Sequence, residues 1–308
     1  MRKRSARYDA VVSRWLEITP DYRCNNRCVG CFSVDDHGPS MTPTEAITAL
    51  DRAGREGTTS LWLGGGEPTL RRDLFALATA ARSRGFDRIK LQTNGMMLAY
   101  AAFVQRCVDA GITEVSFSIK GAIAETHDRL TRTPGCFDLM LAGIERARAA
   151  GLTCEGDVLV YASNAGELPR VVDAFAPRGI SHFRVWLLSA AETNDPNVRA
   201  EVPRMRDVVP ALSAAHDAAR THGVVIESLH TPACVLPADR REIGFDVASL
   251  ALTVVNPGGH SFSLESSPIE GGAFLPTCER CALRTRCRGL RADYLAIHGD
   301  TEFAPIQR

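Results

Sequence analysis

The stretch "LWLGGGEPTL", residues 61–70, ends an apolar run in three glycines, a glutamate and a proline. Four apolar or small residues read as a strand, and glycines at its end let the backbone of another segment or a ligand approach closely. Glu67 adds a carboxylate that can meet an amine. Alone, a glycine run at a strand end describes a tight turn, so its meaning depends on its neighbours.

Upstream, "WLEI" (15–18) is another short apolar run, and "YRCNNRCVGCF" (22–32) follows it with Cys24, Cys28 and Cys31. Downstream, "IKLQT" (89–93), "EVSFSI" (114–119), "GDVLVY" (156–161) and "FRVWLL" (183–188) continue the series. Amphipathic segments separate them at 42–57, 71–85, 101–111, 136–151 and 167–179, each closing on a glycine. Thr42 with Glu45 forms a capping signature for the first. Six strand–helix units in series predict an α/β fold with a parallel sheet, open or closed into a barrel, and sites on such sheets gather at the carboxyl ends of the strands. From about residue 224 the pattern changes. "VVIESL" (224–229) predicts a strand, and "LALTVVNPGGHSFSLESS" (250–267) a hairpin around Pro-Gly-Gly, with Cys278, Cys281 and Cys287 beyond. The expected organisation is an N-terminal extension (1–14), a barrel (15–223) and a small, loop-rich cysteine module (224–308).

Composition narrows the function. Among 308 residues, 36 lysines and arginines balance 36 aspartates and glutamates, so no net field draws the chain to nucleic acid or an anionic membrane. No apolar run reaches the roughly 20 residues of a spanning helix, and the first residues lack a signal-peptide core, which predicts a cytoplasmic protein. Ten cysteines there are thiols rather than disulfides. Cys107, Cys136 and Cys154 stand alone and read as small buried residues. The clusters call for metal. Cys24, Cys28 and Cys31 are one ligand short of a closed tetrahedral site, no histidine nearer than His37 completes them, and thiolates suit zinc or iron–sulfur.

Cys24-x3-Cys28-x2-Cys31 after strand one, with Gly65-Gly66-Glu67 after strand two, resembles the radical S-adenosylmethionine (radical SAM) superfamily over roughly residues 14–190. The resemblance implies a (β/α)6 partial TIM barrel. It implies that the three cysteines hold a 4Fe-4S cluster whose fourth iron receives the amino and carboxylate groups of S-adenosylmethionine. Reductive cleavage there gives a 5′-deoxyadenosyl radical that removes a substrate hydrogen atom, with an electron donor such as flavodoxin or ferredoxin. Gly65, Gly66 and Glu67 match the motif that receives the methionine amino group. Thr93, Asn94 and Gly95 match the loop after strand three, Ser118 a polar contact from strand four, and Asn164 a ribose contact, with turn chemistry as the alternative for both asparagines. Where the family has an aromatic residue before the third cysteine, this chain has Gly30, which leaves Phe32 to pack the adenine.

Residues 118–135 resemble the fourth strand and following loop of a subgroup of these enzymes. Lys120, His127 and Asp128 are candidates to face substrate or the cofactor carboxylate, and helix-start hydrogen bonds are the other reading of His127 and Asp128. Arg184 pairs either with a substrate carboxylate or in a structural ion pair. Cys278-x2-Cys281-x5-Cys287 resembles the auxiliary-cluster modules called SPASM and twitch, with Cys234 as the fourth ligand of a second, closed 4Fe-4S cluster and a four-cysteine zinc site as the alternative. The resemblance points to oxidative or bond-forming modification of a small molecule or a peptide. The barrel pattern starts within some fifteen residues, so a peptide substrate would call for a separate recognition protein. The rival class is a non-catalytic iron–sulfur or zinc scaffold. No general acid or base is identifiable.

Overall fold

The structure, a computed structural model, describes residues 14–31, 38–191, 193, 195–267 and 271–307. Phe32 and His37 lie outside the described residues.

Strands and helices alternate: β1 (Trp15–Ile18), α1 (Pro43–Arg55), β2 (Ser60–Leu63), α2 (Leu74–Arg82), β3 (Arg88–Thr93), α3 (Ala101–Asp109), β4 (Glu114–Ile119), α4 (Ala124–Thr131), α5 (Cys136–Ala149), β5 (Thr153–Val160), α6 (Leu168–Phe175) and β6 (Ile180–Leu187). Then come α7 (Pro196–Ala200), α8 (Met205–His222), β7 (Val225–Ser228), β8 (Leu252–Val255), β9 (Ser261–Ser263) and α9 (Ala292–His298). The six predicted strands pair in parallel in chain order, forming the (β/α)6 partial barrel.

Local chemistry sets the helix ends. The side chain of Thr42 accepts from Glu45 N while the Glu45 carboxylate accepts from Thr42 N, the reciprocal box read from sequence. Helix α2 starts at Leu74 rather than near Arg71. The Arg71 guanidinium is turned inward, donating to the carbonyl oxygens of Pro20 (3.1 Å) and Met41 (3.2 Å) and to Asp73. Helices α4 and α8 were not expected; α8 carries Pro210 inside it, a residue that argues against a helix when sequence is all there is.

Alternation along each strand assigns two faces. Ile18, Leu63, Leu91, Phe117, Val158 and Val185 point outward under the helices, each 2 % exposed or less. Burying a side chain of this kind contributes about 1.5–3 kcal/mol. The lumen face is mixed. At its lower end Trp15 and Trp62 pack edge to face beside Leu252 and Val254, with Lys90 Nζ 4.8 Å from the Trp62 ring centre. Lys90 also meets Glu155 at 2.5 Å, and Glu155 meets Arg184 at 2.7 Å.

The sheet runs on across residue 224. β7 pairs in parallel with β6, and β8 pairs in parallel with β1 on the opposite edge, so the sheet has nine strands in the order β7-β6-β5-β4-β3-β2-β1-β8-β9. The expected hairpin is present as antiparallel β8–β9, with the Pro-Gly-Gly turn between. The strand at 224–229, assigned by its sequence to the cysteine module, is therefore part of the barrel sheet. A four-residue strand flanked by loops carries no signal of its partner.

Candidate functional site

The loop after β1 carries the three cysteines and is pinned from three sides. Arg27 N and Val29 N donate to the carbonyl oxygens of Thr131 and Leu130 at the end of α4. Tyr161, fully buried just past β5, donates its hydroxyl to Val29 O at 3.0 Å. Gly66 N and Glu67 N donate to the carbonyl oxygens of Asp21 and Arg23. The glycines of the opening motif are thus spent on the cysteine loop: a Cβ on Gly66 would stand 2.3 Å from Arg23 O, and one on Gly65 2.7 Å from Asp21 O. Gly65 also has φ +98°, which L side chains avoid.

Glu67 is 1 % exposed and its carboxylate is engaged within the protein. It accepts from Thr69 N, Thr69 Oγ1, Thr93 Oγ1 (2.7 Å) and Asn94 N (2.7 Å), tying the end of β2 to the end of β3. Burial raises its pKa against these donors. Asn94 in turn donates to Asn25 Oδ1 at 2.7 Å, joining the loop after β3 to the cysteine loop. Glu67, Thr93, Asn94, Gly65 and Gly66 therefore converge on Cys24–Cys31 as one cradle.

Gly30 explains the missing aromatic residue. It holds φ +67°, and a Cβ there would stand 2.8 Å from Leu188 Cδ1 and 3.0 Å from Val198 Cγ1, leaving no room for a ring. The thiols are partly buried. Burial lifts Cys24 to about 11, with Glu67 and the other two thiols adding to it. Burial also raises Cys28, against the nearby positive charge of Lys120. Asn26, 4 % exposed, has its Oδ1 without a partner among the described residues. An all-thiol set, a glycine cradle and an orphaned amide oxygen fit a cluster with one open iron and a polar ligand on it.

Lys120 lies one residue past β4 and donates through Nζ to Ser118 Oγ at 2.7 Å, so the pair faces the cysteine side together. His127 sits inside α4, 1 % exposed, and its Nδ1 accepts from Lys120 N. Burial and the Lys120 charge drive its pKa down to about 3, so it stays neutral and braces Lys120. Asp128 caps α5 by accepting from Gly135 N and Phe137 N, the helix-start role. Asn164 spends its amide on Lys120 O and Leu159 O and its oxygen on Tyr161 N, which is turn chemistry. Arg184 lies with Glu155 and Lys90 at the lower end of the lumen, away from the thiols. It takes the structural ion pair of its two expected roles.

Lumen carboxyls went unread, two of them clear of the Lys90–Glu155–Arg184 group. Asp157 on β5 accepts from Ser116 Oγ (2.6 Å), Gln92 Nε2 (2.9 Å) and Trp186 Nε1 (3.2 Å). The carboxyl of Glu17 on β1 makes no hydrogen bond among the described residues; burial first, then the Asp157 charge, lifts it to about 7. The signal was there in the strands: "WLEI", "RIKLQT" and "TCEGDVLV" place polar residues at alternate, lumen-facing positions of otherwise apolar runs.

The other four clustered cysteines also come together. Cys234, Cys278, Cys281 and Cys287 line one cavity of about 220 Å³ beside β7 and α9. Burial lifts Cys234 to about 11, and the three other thiols add to it. Among the described residues no three His, Cys, Asp or Glu side chains converge on a single-ion position.

Residues 18–161 match the radical SAM superfamily. The AdoMet-dependent heme synthase of Methanosarcina barkeri is 33 % identical over 168 residues, 54 % of this chain and 48 % of that protein. A GTP 3′,8-cyclase of Rhodopseudomonas palustris is 28 % identical over 201 residues, 61 % of this chain and 57 % of that one. The chain thus spans about half the length of the curated relatives it matches. Among solved structures, Streptococcus suis SuiB bound to S-adenosylmethionine superposes with a TM-score of 0.67 at 14 % identity, covering 95 % of this chain and 76 % of that one. Native anSMEcpe with bound AdoMet superposes with a TM-score of 0.56 at 19 % identity, covering 70 % and 63 %; both likenesses are of fold. Residues 18–161, which carry the cysteine loop and the glycine cradle, thus match the radical SAM superfamily within a chain whose fold is like that of those two structures.

Proposed function

We propose that the chain is a radical SAM enzyme with two clusters, in which Cys24, Cys28 and Cys31 hold the open 4Fe-4S cluster and Cys234, Cys278, Cys281 and Cys287 hold a closed one. When bound, the first cluster and S-adenosylmethionine supply reductive cleavage to a 5′-deoxyadenosyl radical that abstracts a substrate hydrogen atom, the electron coming from a donor of flavodoxin or ferredoxin type. The residues' part is placement. The Gly64–Glu67 turn and Asn94 hold the thiol loop in one position, and backbone polar groups of that turn are at hand for the methionine end. Lys120 brings a cation to the same mouth, oriented by Ser118 and His127, where it suits a carboxylate. The lumen beneath, with Glu17, Asp157 and Trp186, is polar enough to seat a substrate carrying hydrogen-bonding groups.

The observation that carries this reading is the convergence of the three thiols with the Gly65-Gly66-Glu67 cradle, which a scaffold holding a cluster for its own sake would not need. The relatives' names describe small-molecule chemistry, on heme and GTP, so a small molecule modified by oxidation or bond formation is favoured over a peptide brought by a recognition protein. The test is anaerobic reconstitution, iron and sulfide analysis, then dithionite and S-adenosylmethionine. About eight irons and release of 5′-deoxyadenosine are expected for two cubane clusters. Zinc in the second site leaves a one-cluster enzyme, and a filled cluster that yields no 5′-deoxyadenosine restores the scaffold.

A further inference from the structure

The four carboxyl-terminal thiols share their cavity with five arginines: Arg241, Arg284, Arg286, Arg288 and Arg291. Two of these are neutralised. Arg288 meets Asp246 at 3.0 Å and Glu265 at 3.2 Å, and Arg291 meets Asp293 at 2.5 Å and donates to the carbonyl oxygens of Leu187 and Leu188 at 2.9 Å. The other three have no carboxylate partner among the described residues. Arg284 lays its guanidinium over the Phe274 ring at 3.6 Å, a stacking that fixes its plane without cancelling its charge. Arg241 is partly buried, and its Nε is enclosed without an acceptor. Among the described residues the one carboxylate that lines the cavity, Asp246, is taken by Arg288.

An enclosed guanidinium with no counter-charge, as at Arg241, is unfavourable unless something anionic occupies the space, because it cannot shed its proton to escape; Arg284 and Arg286, exposed to solvent, add positive charge at the rim. Four thiolates around a 4Fe-4S core make such an occupant, since the thiolate charges outnumber those of the core. Net charge near a cluster is one of the levers on its reduction potential. The amino-terminal set differs: Glu67 adds negative charge beside Cys24, and Lys120 sets positive charge beside Cys28.

We propose that Arg241, Arg284 and Arg286 compensate the negative charge of a tetrathiolate cluster held by Cys234, Cys278, Cys281 and Cys287, and raise its reduction potential so that it accepts electrons more readily. This rests on the second-cluster reading above. Arg241 has the largest share, because its Nε is out of solvent, whereas Arg284 and Arg286 are exposed and screened.

The test uses the full chain with Cys24, Cys28 and Cys31 all replaced by alanine, so that iron reports on the second site alone. The midpoint potential is read by spectroelectrochemistry in this parent and after Arg241→Gln, Arg284→Gln, Arg286→Gln and Arg288→Gln. A shift to lower potential is expected for the first three, greatest for Arg241→Gln, with a smaller shift for Arg288→Gln, whose charge is already balanced. Potentials that do not move, or that move most for Arg288→Gln, overturn the arginine role. If Arg241→Gln loses iron, Arg241→Lys decides: iron regained with the charge supports compensation, and iron lost in both overturns it. A parent that binds no iron overturns the second cluster itself, a separate result from bound iron with an unresponsive potential.

Discussion

The two sets of clustered cysteines are built in opposite ways. The first is three thiols on a loop at the mouth of a barrel, held by backbone hydrogen bonds to the end of α4 and the turn after β2 and by the Tyr161 hydroxyl just past β5, and flanked by a glycine cradle. The second is four thiols in a cavity walled by arginines and by aromatic residues such as Phe274 and Tyr294. On the proposed reading, the difference lies in what is left for a ligand: an open coordination position with polar groups around it in one, a filled coordination sphere with surplus cationic charge in the other. That reading suits one site to hold a small molecule against iron, and the other to store charge.

Cysteine replacement should separate the two most sharply. Cys28→Ala is expected to lower 5′-deoxyadenosine release by more than about a hundredfold, beyond the usual cost of disturbing a ligand's outer partners. Cys281→Ala should leave uncoupled cleavage measurable while removing about four irons, the content of one cubane cluster. Equal cleavage in Cys28→Ala and wild type would erase the distinction.

Glu17 sharpens the comparison from the lumen side. A carboxyl lifted from 4.5 to about 7 in the fold is penalised once it must ionise, so wild-type stability falls as pH rises from about 4.5 through 7. Glu17→Gln removes that penalty. The variant should gain on wild type by up to about 3 kcal/mol between pH 4 and pH 8, less in so far as the lumen lets water reach the group. A denaturant series at both pH values measures this, and a pH-independent difference would show that Glu17 ionises freely.

Gly66→Ala tests the cradle. Its Cβ would meet Arg23 O at 2.3 Å, so the cysteine loop must move, at a cost of about 1–3 kcal/mol and with reduced iron at the first site only. Gly166→Ala, where nothing stands within 4 Å, is the control and should leave both sites intact. Smallest of all, Cys107→Ser is expected to keep full iron content and cost about 1–3 kcal/mol for a buried hydroxyl, as read by thermal melting.

The sequence carried the six strands, the first cysteine set and the glycine motif because each is contiguous and periodic. Cys234 was legible only by counting thiols, since its partners lie more than forty residues away. The alternation that marks the lumen carboxyls is ambiguous in sequence, because one charge in an apolar run, such as Glu17 in "WLEI", also suits an edge residue until the strand is curled into a barrel. Asn164 and Arg184 each keep a ligand-facing and a structural reading in sequence because residue type does not tell which hydrogen-bond partners a fold brings within reach. Asn164 is used up by Lys120 and Leu159, and Arg184 by Glu155.

The nine-strand order also bears on how the chain is made. β1 precedes every other strand of the sheet in the chain, yet one of its two neighbours, β8, comes only after β7. Until residues 252–255 emerge, the nascent barrel has one edge of β1 unpaired, and this exposed edge can recruit other chains. Assembly of the two cysteine sites is therefore coupled in time: the loop that carries Cys24, Cys28 and Cys31 hangs from a strand that is locked on both sides only when synthesis has nearly reached Cys278.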